Sequence, residues 1–316
     1  MKSLRIVFMG TPDFAVCILD RMIQEKHQIV GVITAPDKPA GRGRKINQSA
    51  VKTYTLETSI PILQPTNLKS DDFYQELKAL KPDVIVVVAF RMLPKRIWSL
   101  PPLGTFNLHA SLLPQYRGAA PINWAIINGE TQTGVTTFFL DEKIDTGAIL
   151  LQKKTSIDPH ESAGDLHDRL MHLGAETVLE TLELIAKDRA KPIQQPKSED
   201  LKTAYKFNAE NTKIDWQQPA EQIYNFIRGL SPFPVAYTFL NNENQEKLRL
   251  KVFETQKTDL PSNRPPGILF KENNKLLVST PTKSLQIISL QLQGKRKMSA
   301  IDFLNGFNLD KEIKLS

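Results

Sequence analysis

Apolar positions in the first 150 residues fall into short runs separated by stretches of helical spacing. Leu4–Met9 is an apolar run ending at Gly10, Thr11 and Pro12, and a helical pattern follows from Asp13 to Glu25. Ile29–Thr34 reads as a second strand, Pro61–Leu63 as a weak third, and Phe73–Leu80 has helical spacing with Pro82 just past its end. Val84–Ala89 is uninterrupted and β-branched, the pattern of a central parallel strand covered on both faces. Gly104–Leu108 and Val135–Leu140 continue the series. Beyond them, Asp165–Lys187 spaces Leu166, Leu170, Leu173, Val178, Leu182 and Ile185 for one face of a long amphipathic helix. Strands separated by helices predict right-handed βαβ units and an open, doubly wound, Rossmann-like sheet of the α/β class.

The pattern then changes. Residues 188–204 are polar and carry Pro192 and Pro196, the composition of a linker. A helix around Pro219–Gly229 precedes short strand-like runs at 235–240, 247–253, 267–270, 275–279 and 284–290, with Asn, Pro and Gly at the turns. Strands at this spacing predict a smaller, OB-like β-barrel, closed off by a short helix over Met298–Asn305. The expected division is a catalytic domain over 1–189, a linker over 190–205 and a barrel domain over 206–316.

Composition narrows the class. At 41% hydrophobic and 24% charged residues the chain is an ordinary globular protein, without the run of about 18 apolar residues that a membrane helix needs. Its N-terminus enters a strand pattern directly, so no signal peptide is expected, and the compartment is expected to be cytoplasmic. The single Cys17, in a half-apolar helix, is expected to be a structural thiol. His167 and His172 are expected to be surface or packing residues, since no His or Cys spacing indicates a metal. The net charge of +7 is uneven: residues 206–316 hold 16 Lys and Arg against 11 Asp and Glu, residues 1–205 hold 25 against 23. A basic tail beside a nearly neutral remainder suits a polyanionic partner.

The strongest chemistry lies between Asn107 and Pro121. Asn107 and His109, two apart in an extended segment, share a face and address one small volume. They stand at the carboxyl end of their strand, where open α/β sheets bind ligands. A second loop, after Val135–Leu140, could bring a carboxylate there from Asp141 or Asp145. An amide donor, an imidazole and a carboxylate are what acyl transfer to an amine requires. No G-x-G-x-x-G follows the first strand and no G-x-x-x-x-G-K-[ST] occurs, which argues against NAD chemistry and nucleotide hydrolysis. The loop from Asp37 to Lys45 strings Lys38, Arg42, Arg44 and Lys45 among glycines on the same rim, suiting a phosphate-bearing substrate. Lys295, Arg296 and Lys297 form a second compact cationic cluster.

These segments carry a family likeness. The chain resembles the methionyl-tRNA formyltransferases over essentially its whole length, in RIVFMGTPDF from Arg5, PDKPAGRG from Pro36, NLHASLLP from Asn107 and YRGAAP from Tyr116. DTG from Asp145, IDW from Ile214 and GKRKMSA from Gly294 extend it. The HxSLLPxYRG signature belongs to the wider set of 10-formyltetrahydrofolate enzymes, and the basic loop and C-terminal segments narrow it. The resemblance implies catalytic roles for Asn107, His109 and Asp145, and folate binding by Ser111, Leu112, Leu113 and Pro114. It implies acceptor-stem binding by Lys38 to Lys45, with Arg42 most sensitive.

The implied substrates are 10-formyltetrahydrofolate and initiator methionyl-tRNA, with no metal and a monomeric enzyme. One departure is visible: Ala89–Pro94 reads AFRMLP, one residue shorter than the family's usual AYGxILP, beside the implied folate pocket. A glycinamide ribonucleotide formyltransferase shares the core signature but would end near residue 200. A folate hydrolase or aldehyde-oxidising fusion would carry a different appended domain. A degenerate RNA-binding relative would be expected to lose one of Asn107, His109 and Asp145.

Overall fold

The computed structural model describes residues 3–40, 45–196, 200–241, 247–307, 309 and 312–316. It divides into two compact units: one comprises Met1–Pro121, Gln132–Ser156 and His167–Thr203, and the other Ile122–Thr131, Ile157–Leu166 and Ala204–Ser316.

The first unit is built on a seven-stranded sheet. Its strands are β1 (Arg5–Gly10), β2 (Gln28–Ile33), β5 (Ile62–Leu63), β6 (Val84–Val88), β7 (Thr105–His109), β9 (Gln132–Phe139) and β10 (Ile149–Ser156). Two short antiparallel strands, β3 (Lys38–Ala40) and β4 (Lys45–Asn47), form a separate hairpin, and β8 spans Arg117–Gly118. In space the order is β10-β9-β7-β6-β1-β2-β5, parallel from β5 to β7 and antiparallel at β9 and β10. The chain runs outward from β1 through β2 to β5, then returns to β6 on the other side of β1. That reversal opens a crevice at the carboxyl ends of β1 and β6, with β7 next in line.

Both faces of the sheet are covered. Val7, Met9, Ile33, Ile85 and Val87 pack with Phe73 and Leu77 of α3 (Asp71–Ala79) and Ile97 of α4 (Lys95–Trp98). On the opposite face, Leu108 packs on α6 (Ala163–Ala186), where a Cβ added at Gly174 would stand 2.7 Å from a Leu108 methyl. Thr137 of β9 and Thr181 of α6 share a buried hydrogen bond of 2.8 Å. The remaining helices are α1 (Asp13–Gln24) and α2 (Ala50–Thr55), while α5 (Pro121–Ile127) belongs, after its first residue, to the second unit. The elements here without a counterpart in the sequence reading include α4, the β3–β4 hairpin, α2, which is a single short turn and a half, and β10, whose Gln152-Lys153-Lys154 run is half-exposed at the sheet edge.

The second unit is a nearly closed antiparallel barrel beside α7 (Ala220–Leu230) and α8 (Ala300–Gly306). Its strands are β12 (Ala236–Asn241), β13 (Lys247–Pro261), β14 (Ile268–Glu272), β15 (Lys275–Val278), β16 (Lys283–Leu292), β17 (Met298–Ser299) and β18 (Ile313–Lys314), after the two-residue β11 (Thr203–Ala204). The order β12-β13-β16-β15-β14-β18 closes on itself, because Leu315 bridges back to Leu240 and the Phe239 and Ser316 backbones exchange two hydrogen bonds. The five sequence-predicted strands map onto β12 to β16. β13 is longer than its apolar run, since bulges after Val252 and Glu254 bend it into a second, polar half. Ile223, Ile227, Leu240, Leu250, Leu269, Leu276, Ile287 and Phe303 lie in its core, and Trp216 donates its indole N–H to Thr238 Oγ1 inside it.

Candidate active site

The site begins with the pleat of β7. Leu108 faces α6, so Asn107 and His109 face the other side, at the strand's carboxyl end beside Val87 of β6. His109 is buried, 7% exposed. Its Nε2 lies 2.8 Å from the Tyr116 carbonyl oxygen. A carbonyl can only accept, so Nε2 carries the hydrogen and the neutral ring presents a bare Nδ1. That Nδ1 faces Asp145 Oδ2 at 3.8 Å, longer than a hydrogen bond, and the two form an ion pair only when the ring takes a proton. The Asp145 carboxylate is itself held by the Gly118 backbone N–H at 2.9 Å. Asn107 is partly exposed, and its amide has no hydrogen-bond partner among the described residues. An unspent amide therefore stands on the same face as a buried, oriented imidazole.

Two loops build this arrangement, and both contain left-handed non-glycine residues, Tyr116 at φ 60° and Asp145 at φ 55°. Such conformations persist where the surroundings over-determine them, and they concentrate at functional sites. Of the two carboxylates left open by the sequence, Asp145 is the one beside His109. Asp141 is exposed and builds its own loop, accepting from the Lys143 N–H at 3.0 Å and the Thr146 hydroxyl at 2.7 Å. Gly147 makes the loop possible, because a Cβ there would sit 1.7 Å from the Phe139 carbonyl oxygen. Gly147→Ala is accordingly expected to cost about 1–3 kcal/mol in overpacking and to displace Asp145. A thermal melt with an assay of turnover checks this; wild-type values in both would show that the loop has room.

Residues 111–114 form a rigid floor. The buried Ser111 hydroxyl donates to the Gln115 carbonyl at 2.7 Å. Thr136 Oγ1 donates to the Ser111 carbonyl and accepts from the Leu113 N–H and from Gln152 Nε2, which also donates to the Leu113 carbonyl. Leu113 is buried, whereas Leu112 and Pro114 are half-exposed, so these two offer the surface a ligand could meet. In the shortened segment, Ala89 turns at φ 46° and Arg91 donates to the carbonyls of Pro65 and Thr66, which ties it to the chain beyond β5.

The basic loop is anchored at its base. Lys52 and Gln64 donate to the Asp37 carboxylate and hold it below the usual carboxylate range. Lys38 is exposed at the start of the hairpin; Arg42 and Arg44 lie outside the described residues, and Lys45 is described by its backbone alone. In the second unit Lys295, Arg296 and Lys297 are exposed on the turn after β16, with Lys297 Nζ 4.5 Å from the Phe253 ring centroid. Cys17 is half-buried, and burial, aided by Asp20, pushes its thiol up, away from nucleophilic character. Its Sγ lies 3.7 Å from His172 Nδ1, while His167 bonds Asp168 and packs edge-on against Phe14. Among the described residues no group of three His, Cys, Asp or Glu is placed to hold a metal ion, and no helix is long and apolar enough to cross a membrane.

Several contributors escaped the sequence reading. The Tyr116 carbonyl and Gly118 N–H act through backbone atoms, which residue identity does not reveal. Thr136, Gln152 and Gln195 act from β9, β10 and the segment past α6, distant in sequence.

A doubly wound sheet presenting an amide, an imidazole and a carboxylate at its carboxyl edge, with an antiparallel barrel as a second unit, defines the formyl transferase class. The family model described as formyl transferase matches residues 4–182, and that of the formyl transferase C-terminal domain matches residues 206–308. The methionyl-tRNA formyltransferase of Flavobacterium johnsoniae is 53% identical over 315 residues, covering 100% of both chains. That of Bacteroides fragilis is 48% identical over 318 residues, covering 99% of this chain and 98% of the relative. The chain belongs to the methionyl-tRNA formyltransferase family.

Solved structures share the fold at lower identity. HypX from Aquifex aeolicus in complex with tetrahydrofolic acid aligns with a TM-score of 0.66 and 17% identity, over 97% of this chain and 48% of HypX. This chain thus spans about half of HypX. The N-formyltransferase from Helicobacter canadensis in complex with folinic acid and dTDP-3-aminofucose aligns with a TM-score of 0.66 and 19% identity, over 93% and 100% of the two chains.

Proposed function

We propose that this chain transfers the formyl group of 10-formyltetrahydrofolate to the α-amino group of methionyl initiator tRNA, producing formylmethionyl-tRNA for translation initiation. The observation that carries the chemistry is His109, its Nε2 committed to Tyr116 and its Nδ1 turned to Asp145, beside an unspent Asn107 amide. The full-length likeness to methionyl-tRNA formyltransferases, second unit included, carries the substrate.

In the reaction the amine nitrogen bonds to the formyl carbon, the bond from that carbon to N10 breaks, and one amine proton ends on N10. The reduced folate supplies the activated formyl group. Asn107 donates its amide N–H to the oxyanion that develops on the formyl oxygen. His109 takes the amine proton on Nδ1, and the Asp145 carboxylate at 3.8 Å offsets the imidazolium charge until the proton is returned to N10. No covalent enzyme intermediate is required.

Ser111 to Pro114 frame the folate, through the exposed parts of Leu112 and Pro114. Lys38, Arg42, Arg44 and Lys45 contact the acceptor stem, and Lys295, Arg296 and Lys297 contact tRNA from the barrel. In this reading the catalytic domain is 1–189, the linker 190–205 and the tRNA-binding domain 206–316, in a monomeric cytoplasmic enzyme that works without a metal.

The test supplies the purified chain with 10-formyltetrahydrofolate and, in parallel, charged initiator tRNA, charged elongator tRNA, glycinamide ribonucleotide and an amino-sugar nucleotide. Formylation of initiator tRNA in strong preference is expected. Turnover of a small amine with none on tRNA would overturn the reading. Arg42→Ala is expected to raise KM for charged tRNA, leave folate KM unchanged and lower the salt slope of tRNA binding by about one. Binding titrations at several salt concentrations check this; an unchanged slope would remove Arg42 from phosphate contact.

A further inference from the structure

We propose that Gln195, on the polar segment beyond α6, is a positioning residue that holds Asp145 against His109 by tying together the two loops flanking the imidazole. The inference rests on the reading that His109 and Asp145 serve formyl transfer. Every hydrogen-bonding group of the Gln195 amide is spent on those loops. Its Nε2 donates to the carbonyls of Asp145 at 2.9 Å and Gly147 at 2.8 Å. Its Oε1 accepts from Arg117 Nε at 3.2 Å and Nη2 at 2.6 Å. Arg117 lies between Tyr116, whose carbonyl takes the His109 Nε2–H, and Gly118, whose N–H holds the Asp145 carboxylate. These bonds run from the imidazole through Tyr116, Arg117 and Gln195 to Asp145, whose carboxylate faces the imidazole again at 3.8 Å.

The segment is itself fixed to the first unit. Ile193 and Ile149 exchange two backbone hydrogen bonds of 2.8 Å, and this antiparallel bridge sets Gln195 opposite Gly147, two residues before the start of β10. Further along, the Lys202 carbonyl accepts from the Tyr116 N–H at 2.7 Å, and the Lys202 N–H donates to Gln115 Oε1 at 2.8 Å. A stretch whose composition reads as a linker thus braces the loop bearing Tyr116 and Arg117 from several points. The amide is the side chain suited to Gln195's position. It donates twice to carbonyls and accepts twice from a guanidinium, whereas a carboxylate would lose both donors and face two carbonyl oxygens. Because Asp145 sits in the left-handed region at φ 55°, its loop relaxes once those two donors go. Misplacing a catalytic group by roughly 1 Å can cost about 10²-fold in rate.

The test compares four variants of the full chain with wild type, using formyl transfer to methionyl-tRNA and thermal melts. Gln195→Met keeps the side-chain length and removes every hydrogen bond; Gln195→Glu keeps the acceptor for Arg117 and removes the donors. Both are expected to lower kcat by about 10- to 100-fold, with KM for folate and tRNA within about twofold. Asp145→Asn combined with Gln195→Met is expected to be no slower than Asp145→Asn alone, since a positioning residue has nothing left to position. A merely structural role predicts independent, multiplicative losses in that pair. Wild-type kcat in Gln195→Glu, or multiplicative losses, would overturn the proposal. Should Gln195→Met unfold, the Gln195→Glu comparison still decides it. Failure of the wild-type chain to formylate methionyl-tRNA would instead strike the functional reading, which separates the two failures.

Discussion

His109→Ala is expected to lower kcat for formyl transfer by about 10²–10⁴, the range that a general acid–base group contributes, with little change in either KM. The imidazole is the group in the site that both gains a proton at Nδ1 and has a carboxylate facing it at 3.8 Å. Alanine also leaves the Tyr116 carbonyl without its 2.8 Å donor, so some stability loss accompanies the kinetic one. His109→Gln separates the two effects. Its amide can restore a donor to that carbonyl but cannot accept and return a proton. It is therefore expected to melt close to wild type and to remain as slow as alanine. Single-turnover assays with melts on both variants decide the matter. Activity within tenfold of wild type in His109→Gln would leave His109 a structural role alone.

Asn107→Ala is expected to lower kcat by about 10²–10³, as loss of one oxyanion donor does, and to leave the melting temperature unchanged. The second expectation follows from its surroundings. The Asn107 amide makes no hydrogen bond to another described residue, so its removal orphans nothing within the protein. Asn107→Asp keeps the size and replaces the donor by a carboxylate beside a developing negative charge. Its loss of turnover should equal or exceed that of alanine. A large fall in stability with kcat intact would show that the residue serves the fold of β7, and the oxyanion role would pass elsewhere.

The strands of both units were legible because each satisfies a local rule. Val84–Val88 is buried on both faces and is apolar throughout, while β12 to β16 hold short strand-like runs between Asn, Pro and Gly turns. β10 and the polar half of β13 were missed for the complementary reason. Their pairing is set by a neighbouring strand and by bulges, and their exposed positions carry lysine, glutamine and threonine that hide the period. The shared face of Asn107 and His109 needed nothing beyond the two-residue period of a strand. The choice of Asp145 over Asp141 did not follow from spacing. The family resemblance pointed to Asp145, and the loop after β9 gives the physical reason: Asp141 turns to Thr146, while Asp145 reaches Gly118 and His109.

The sequence by itself determined the alternation of strand and helix, the five main barrel strands, the amide–imidazole pair and the family, because these reside in patterns of neighbouring residues. Tertiary structure alone decided which nitrogen of His109 is free and what holds Asp145 opposite it. The partners involved are the carbonyl of Tyr116, the N–H of Gly118 and the amide of Gln195, 50 residues from Asp145. Two of these are backbone groups that every residue type carries. The third lies on a segment with the composition of a linker, and its role exists only once the sheet, the two loops and that segment are folded together.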